Sequence, residues 1–425
     1  MKVVIAGGVA GGATAAARLR RLNEEAEIII LERTGYVSYA NCGLPYYIGG
    51  AIQDKGALTL QTPESFRARF NIDVRVRNEV LSMQPEEHTV TVRRLEDGSE
   101  YTETYDKLIL SPGGKAIRPP LRGIDLEGIS TLRTVEDTFR IRNLLERERP
   151  KSAVVVGGGF IGLEMAENLI HAGVRTTLIQ LDDQVLLPLD KDMAGEVHSY
   201  LRGQGLDLRL STAVTGFRRQ DGKLETLIGD QPPVAADLVI LAIGVAPESD
   251  LARRAGLTLG QKGSIAVDDH MRTSQPDIYA VGDAVELTHI VTGQKALVAL
   301  AGPANRQGRI AADHICGLDQ SYSAPHGSSI LKLFGMTAAA TGLNERSAKA
   351  AGVAYDKVVT YSASHAAYYP GAQNMTVKTL FDPATGRILG AQIVGFDEVD
   401  KRIDVMATAV RAGLTAQQLT HLDLA

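Results

Sequence analysis

Two features of this chain have residue types and spacing suited to chemistry: a cysteine in a polar turn, and a pair of glycine-rich turns. Cys42 lies in Ser38-Tyr39-Ala40-Asn41-Cys42-Gly43-Leu44-Pro45-Tyr46-Tyr47. Most lone cysteines are small buried hydrophobes. This one stands in a turn-like, polar segment instead. A helix starting near Pro45 places its positive end at Cys42 and favours the nucleophilic thiolate. A dithiol centre of the Cys-x4-Cys type needs a second cysteine at position 47, and that residue is Tyr47. A sulfur partner for Cys42 therefore comes from outside the chain, or Cys42 itself carries an oxidised state. The other cysteine, Cys316, follows Ala311-Ala312-Asp313-His314-Ile315 in a helical pattern without catalytic neighbours and is expected to be structural.

The glycine turns suit a different task. A pyrophosphate needs backbone N–H donors at the positive end of a helix, and side chains block that approach. Gly157-Gly158-Gly159-Phe160-Ile161-Gly162 matches the dinucleotide fingerprint without gaps. Gly7-Gly8-Val9-Ala10-Gly11-Gly12 is less regular. With Gly7 and Gly12 as the outer glycines, Val9 replaces the middle one. One register lower, Gly8 and Gly11 match and Ala6 replaces the first. Glu32 follows Gly12 by 20 residues, where a carboxylate holds a ribose hydroxyl pair. The corresponding position in the second copy is near Gln180, with neither a Glu nor an Arg beside it, so NADH and NADPH both stay open. Two dinucleotide sites with a redox residue between them imply an electron relay. One nucleotide would be a tightly bound flavin and the other a diffusing nicotinamide.

Thr14, Arg18 and Arg21 are spaced by four and three residues and so share one helix face. Two guanidiniums there suit phosphate oxygens, or equally a solvated basic face. The nine histidines show no pair at metal-ligand spacing beside carboxylates, so no metal is expected. A Gly-x-Ser-x-Gly hydrolase elbow is absent.

The elements that must carry these residues read as two βαβ units about 150 residues apart. The first runs Lys2–Ala6, a helix from Ala13 to Leu22, then Ile28–Leu31. The second runs Ala153–Val156, a helix from Leu163 to His171, then Thr177–Gln180. Buried strands ending in glycine turns are expected before Ser111-Pro112-Gly113-Gly114 and before Gly244, and another at Ile278–Ala284. From about residue 326 the pattern changes to strands (Thr376 to Phe381, Ile388 to Val394) and a helix around Ile403 to Ala412, without a glycine fingerprint. Arg118-Pro119-Pro120 and Gln231-Pro232-Pro233 read as linkers.

Composition agrees with this class and excludes others. The chain has 425 residues, enough for about three domains. A net charge of −5 gives no reason to expect a nucleic-acid surface. Two cysteines are too few for a disulfide framework, which points to a reducing, cytoplasmic setting. No apolar run reaches the length of a membrane span. The Lys2-Val3-Val4-Ile5 start resembles a signal peptide but fits the nucleotide-binding unit better.

Taken together, the two glycine turns, Thr273-Ser274-x-x-Asp277-Ile278-Tyr279-Ala280-Val281-Gly282-Asp283-Ala284 and the lone Cys42 motif resemble the flavoprotein pyridine nucleotide–disulfide oxidoreductases. More narrowly, they resemble the single-cysteine branch: coenzyme A-disulfide reductase and NAD(P)H-dependent coenzyme A persulfide or polysulfide reductase. The resemblance covers essentially the whole chain. It implies an α/β fold of two Rossmann-like dinucleotide-binding domains, glutathione-reductase-like in arrangement, with a C-terminal α+β dimerisation domain. The expected spans are 1–115 and 245–325 for FAD, 116–244 for NAD(P)H, and 326–425 for a homodimer contact.

The resemblance also implies roles. Cys42 alternates between thiolate and a mixed disulfide with coenzyme A. Thr14, Arg18, Arg21, Ser38, Asn41 and Asn305 match coenzyme A-binding positions. Gly7, Gly8, Gly11, Gly12, Glu32, Arg33, Ser111, Gly113, Gly282 and Asp283 match FAD positions. Gly157, Gly159, Phe160, Ile161, Gly162, Glu164 and Gly244 match NAD(P) positions, with Glu164 the acid near the nicotinamide. Tyr368 or Tyr369 reaches the partner subunit's site. The resemblance places a further active-site tyrosine, and in some relatives a rhodanese domain, beyond Ala425, where this sequence stops. NADH oxidases and peroxidases, which cycle a cysteine sulfenic acid, are cousins in the branch and the alternative function.

Overall fold

The computed structural model describes residues 1–322 and 325–424; residues 323, 324 and 425, inside the expected FAD-binding and C-terminal spans, lie outside the described residues. The N-terminal apolar run becomes the strand Lys2–Ala6, and Val3, Val4 and Ile5 have no exposed surface. It is central in a five-stranded parallel sheet, in the order Ile278–Ala280, Lys107–Leu110, Lys2–Ala6, Glu27–Glu32, Asp73–Val76. A parallel sheet is covered on both faces, which is why these strands read as unbroken apolar runs rather than alternating ones. The chain leaves Lys2–Ala6 towards one neighbour and Lys107–Leu110 lies on the other side. That switch in direction opens a crevice at the carboxyl ends of the strands.

The second parallel sheet repeats the plan, in the order Asp207–Arg209, Arg175–Ile179, Ser152–Val156, Leu238–Leu241, Ile129–Thr131. Between the two sheets, Gly114–Ala116 pairs antiparallel with Val245–Pro247. Each parallel unit also carries a three-stranded antiparallel sheet. One holds Asn78–Gln84, Thr89–Arg94 and Glu100–Thr104; the other holds Gly216–Gln220, Lys223–Ile228 and Gln231–Ala236. Gln231-Pro232-Pro233, expected to be a linker, is therefore the start of an edge strand. Proline is tolerated there because an edge N–H has no ladder partner to lose.

The C-terminal unit is a five-stranded antiparallel sheet, Ser329–Leu333, Met336–Gly342, Ile388–Gly395, Asn374–Phe381 and Asp356–Ala363, backed by the helix Val399–Ala412. It docks on the second parallel unit through a buried cation. Lys378 has no exposed side-chain surface, and its Nζ lies 3.0 Å from Asp190, 2.8 Å from Asp192 and 2.6 Å from Glu345. Asp190 also accepts from Gln392 Nε2 at 2.7 Å. Among the described residues, Asp190, Asp192 and Glu345 form the cluster of three acids close enough to share an ion, and here the Lys378 ammonium holds that place. No helix among the described residues is long and apolar enough to cross a membrane.

Candidate active site

The helices that begin at the two glycine turns run Ala10–Leu22 and Phe160–His171. The turns share their backbone geometry at the outer glycines. Gly7 has φ 104° and Gly157 φ 109°, a region closed to most side chains. A Cβ at Gly12 would overlap the Gly7 carbonyl oxygen, and a Cβ at Gly162 would overlap that of Gly157. The register left open in the first copy is thereby settled: Gly7 and Gly12 are the outer glycines, and Val9 stands where Gly159 stands. A Cβ at Gly159 would meet nothing within 4 Å, so a side chain there is sterically admissible. Gly11 serves another purpose. The helix Ala301–Ile315 approaches it so closely that a Cβ on Gly308 would overlap the Gly11 carbonyl oxygen.

The two strand ends match as well. Glu32, 5% exposed, accepts from the Gly8 N–H at 2.9 Å and the Thr34 N–H at 2.8 Å. Gln180 Oε1 accepts from the Gly158 N–H at 2.7 Å. The Ser111 Oγ accepts from the Gly12 N–H at 3.0 Å, and the Gly282 N–H donates to Gln307 Oε1 at 2.5 Å.

Both cradles open into one cavity of about 1120 Å³. Its walls include Gly7, Gly11, Glu32, Arg33, Ser111, Gly113, Gly282 and Asp283 on one side and Gly159, Phe160, Ile161, Glu164 and Gly244 on the other. Gly8, Gly12, Gly157 and Gly162 lie behind the walls, packed against backbone or side chains. A cavity of this size, rimmed by glycine turns at two helix N-termini and by an acid at a strand end, fits a dinucleotide cofactor.

Cys42 is an exposed free thiol on the same cavity wall as Asn41, Pro45 and Glu164. The short turn Asn41–Gly43 leads into the helix Leu44–Gly49, which packs against Phe160–His171. The contact is tight, because a Cβ at Gly49 would overlap the Asn168 side chain. The expectation that the helix lowers the cysteine's pKa is not met. Burial, and behind it the Glu164 charge, push the Cys42 thiol up. Glu164 in turn is pushed up to about 7 by burial and by the Glu167 charge. Tyr46 Oη donates to Glu164 Oε1 at a long 3.5 Å, and Glu167 Oε1 accepts from the Phe334 N–H at 2.7 Å. Burial raises Asp283, with the Arg133 charge opposing it.

The Thr14–Arg18–Arg21 face packs beside the helix Ala301–Ile315. Thr14 Oγ1 donates to Asn305 Oδ1 at 2.9 Å, and Arg18 Nε donates to Asp313 Oδ1 at 2.6 Å. Arg21 lies over the Phe70 ring at 5.7 Å, with Arg69 over the same ring at 5.1 Å. Ser38 has φ 45°, held by its N–H on the Gly8 carbonyl at 2.9 Å. Tyr368 and Tyr369 are 91% and 66% exposed and stand outside the cavity of their own chain.

The comparisons with known proteins agree on the class. Residues 1–308 match the family model described as pyridine nucleotide-disulphide oxidoreductase, and residues 329–423 match its dimerisation domain. This chain belongs to the pyridine nucleotide-disulphide oxidoreductase family. The family's structure is closely kept: the chain is 46% identical to reduced Bacillus anthracis CoADR-RHD, with a TM-score of 0.98 over 100% of this chain and 76% of that one. Among curated relatives, it is 34% identical to the coenzyme A disulfide reductase of Staphylococcus haemolyticus, over 100% of this chain and 94% of that protein. It is also 34% identical to the NADH oxidase of Methanocaldococcus jannaschii, with the same coverage.

Two residues of this oxidoreductase's site escaped the sequence reading. Arg133 lines the cavity, donating from Nε to the Gly114 carbonyl at 2.9 Å and from Nη1 towards Asn41 Oδ1 at 3.5 Å. It follows a strand of the other unit and belongs to no local motif. Gln307 supports the Gly282 turn from a helix whose sequence shows only amphipathic spacing.

Proposed function

We propose that this chain is an FAD-dependent oxidoreductase that uses NAD(P)H to reduce coenzyme A disulfide, or the corresponding persulfide or polysulfide, through Cys42. The observation that carries the reading is the placement of one exposed thiol on the wall shared by both nucleotide cradles, with Cys316 outside that cavity. Among the described residues no second thiol lines this cavity, so a disulfide at Cys42 forms with a substrate sulfur. The likeness to a protein named coenzyme A disulfide reductase supports this substrate.

In this reading segments 1–115 and 245–325 hold FAD, 116–244 holds NAD(P)H and 326–425 makes a homodimer. Gly7, Gly8, Gly11, Gly12, Glu32, Arg33, Ser111, Gly113, Gly282 and Asp283 hold the flavin nucleotide. Gly157, Gly159, Phe160, Ile161, Gly162, Glu164 and Gly244 hold the nicotinamide nucleotide. Thr14, Arg18, Arg21, Ser38, Asn41 and Asn305 receive coenzyme A. The exposed edge strand Asp356–Ala363, with Tyr361 78% exposed, supports the homodimer, in which Tyr368 or Tyr369 enters the partner's cavity. The enzyme works in the cytoplasm, where thiols are kept reduced.

The Cys42 sulfur attacks one sulfur of the coenzyme A disulfide. A bond forms between Cys42 and that sulfur, and the other coenzyme A leaves as its thiolate. Bound FAD supplies the chemistry of taking a hydride from NAD(P)H and passing an electron pair to a sulfur–sulfur bond. Cleavage of the mixed disulfide restores the Cys42 sulfur directly as a thiolate, so the raised thiol pKa need not be overcome in each cycle. The balance is NAD(P)H + H⁺ + CoA–S–S–CoA → NAD(P)⁺ + 2 CoA–SH. Glu164, titrating near 7, is a cavity group able to hold the proton at neutral pH. The test is turnover of coenzyme A disulfide by a Cys42→Ser holoenzyme. The reading expects the rate to vanish while flavin stays bound, and an unchanged rate would refute it.

A further inference from the structure

The two halves of the chain build the ends of their second strands differently. In the first, Glu32 supplies a carboxylate directly to the Gly8 N–H at 2.9 Å. In the second, the same place is taken by the neutral amide of Gln180. Its Oε1 accepts from the Gly158 N–H at 2.7 Å, and its Nε2 donates to Asp182 Oδ2 at 2.9 Å. The amide thus bridges the glycine turn to a carboxylate two residues on. Asp182 itself is anchored by the Ser211 N–H on its carbonyl at 2.9 Å.

The basic groups nearby each face an acid. Arg209 donates to Asp207 Oδ2 from Nε at 3.1 Å and from Nη2 at 2.9 Å. Lys191 is paired with Asp183, the residue after Asp182. What the strand end presents is one carboxylate held by Gln180, with Arg209 and Lys191 each facing an acid of its own. A ribose 2′-hydroxyl can donate to that carboxylate. A 2′-phosphate would meet it as a like charge.

We infer that the Gln180–Asp182 pair makes NADH the preferred reductant of this enzyme and rejects NADPH. This rests on the reading of residues 116–244 as the nicotinamide nucleotide site, and it names the pair that discriminates there. The same pairing explains why the sequence reading left the question open. The acid lies beyond the position where a Glu is sought, and only its hydrogen bond to Gln180 brings it back to the ribose edge.

The test is the equilibrium dissociation constants of NAD⁺ and NADP⁺ for the flavin-loaded enzyme, by titration calorimetry at low salt. NAD⁺ is expected to bind at least about tenfold more tightly. In Asp182→Asn, which removes an exposed charge, NADP⁺ should tighten more than NAD⁺ and bring the two constants within about threefold. Gln180→Ala, which frees the carboxylate from its anchor, should weaken NAD⁺. Equal affinities in the wild type, tighter NADP⁺, or a ratio that Asp182→Asn leaves unchanged would each overturn the inference. Binding needs no sulfur acceptor. A failure here is thus distinct from a failure of the coenzyme A reading, while absence of binding by both nucleotides would count against the site itself.

Discussion

Arg18 Nε donates to Asp313 Oδ1 at 2.6 Å, joining the first helix to one 295 residues away; Asp313 is only 6% exposed. The pair does two jobs in this account. It satisfies a buried carboxylate, and it fixes a guanidinium whose remaining N–H groups are available to a phosphate.

Replacing Arg18 by Ala therefore costs stability as well as affinity. The orphaned Asp313 carboxylate should cost about 1–3 kcal/mol, whereas Arg21→Ala, at an exposed position, should stay within about 0.5 kcal/mol of wild type. Thermal denaturation of Arg18→Ala, with and without Asp313→Ala, checks this: the second substitution should restore part of the loss. With both Arg18 and Arg21 replaced, KM for coenzyme A disulfide should rise at least about tenfold. Turnover of a small disulfide without phosphates should be unaffected.

Glu164 predicts an unusual pH dependence. Its folded-state pKa of about 7 lies above the ordinary 4.5, because burial and then the Glu167 charge disfavour the carboxylate. The native state thus binds more protons than the unfolded chain between those values. Stability from this group is fully present below about 4.5 and is lost as the pH rises through 7. Glu164→Gln should gain on wild type between pH 5 and pH 8, by on the order of 2–3 kcal/mol. Denaturant midpoints at the two pH values measure it, and a parallel pH profile for the two proteins would contradict the assignment.

The sequence made some of this legible and hid the rest for identifiable reasons. Gly157 to Gly162 and Cys42 could be read because their chemistry is local: a turn, a strand before it and a helix after it. The register at Gly7 could not, since Val9 fills a place where a side chain is sterically harmless, and only the Gly12 approach to the Gly7 carbonyl decides it. Arg133 reaches Asn41 across 92 residues, and Asp313 reaches Arg18 across 295, so neither leaves a mark in any short window. The rise of the Cys42 thiol is hidden for the same cause, because it comes from burial in the folded chain and, behind that, from the charge of Glu164 in the other unit. Lys378 is fully buried among three acids, none of them in its own strand, so no short window shows its partners.

The glycine contacts predict which substitutions each cradle tolerates. Gly162→Ala forces a Cβ into the Gly157 carbonyl and should abolish reduction by the nicotinamide nucleotide while the flavin stays bound. Gly159→Ala meets open space and should fold normally, since the first cradle already carries a side chain, Val9, at that place. Its effect should appear as a higher KM for the nicotinamide nucleotide. Flavin absorbance and stopped-flow reduction of the purified variants separate the two outcomes.

Lys378→Met should weaken the docking of the C-terminal sheet. Removing the ammonium leaves Asp190, Asp192 and Glu345 facing one another, at a cost of about 3–5 kcal/mol, the range for breaking a buried ion pair. Burial raises the Glu345 pKa, but its bonds to Lys357 and Lys378 outweigh that and hold it down to about 2. The stability it contributes is present above about 4.5 and fades as the pH falls towards 2. Acid titration of wild type and variant should therefore show the wild type losing more over that interval.

The most direct measurement is the intact mass of the flavin-loaded, non-reduced protein after incubation with coenzyme A disulfide in the absence of nicotinamide nucleotide. The account predicts one coenzyme A per chain, mapped to Cys42 and released by a small dithiol. Coenzyme A on Cys316 instead, or a Cys42 that gains only a single oxygen, would contradict it.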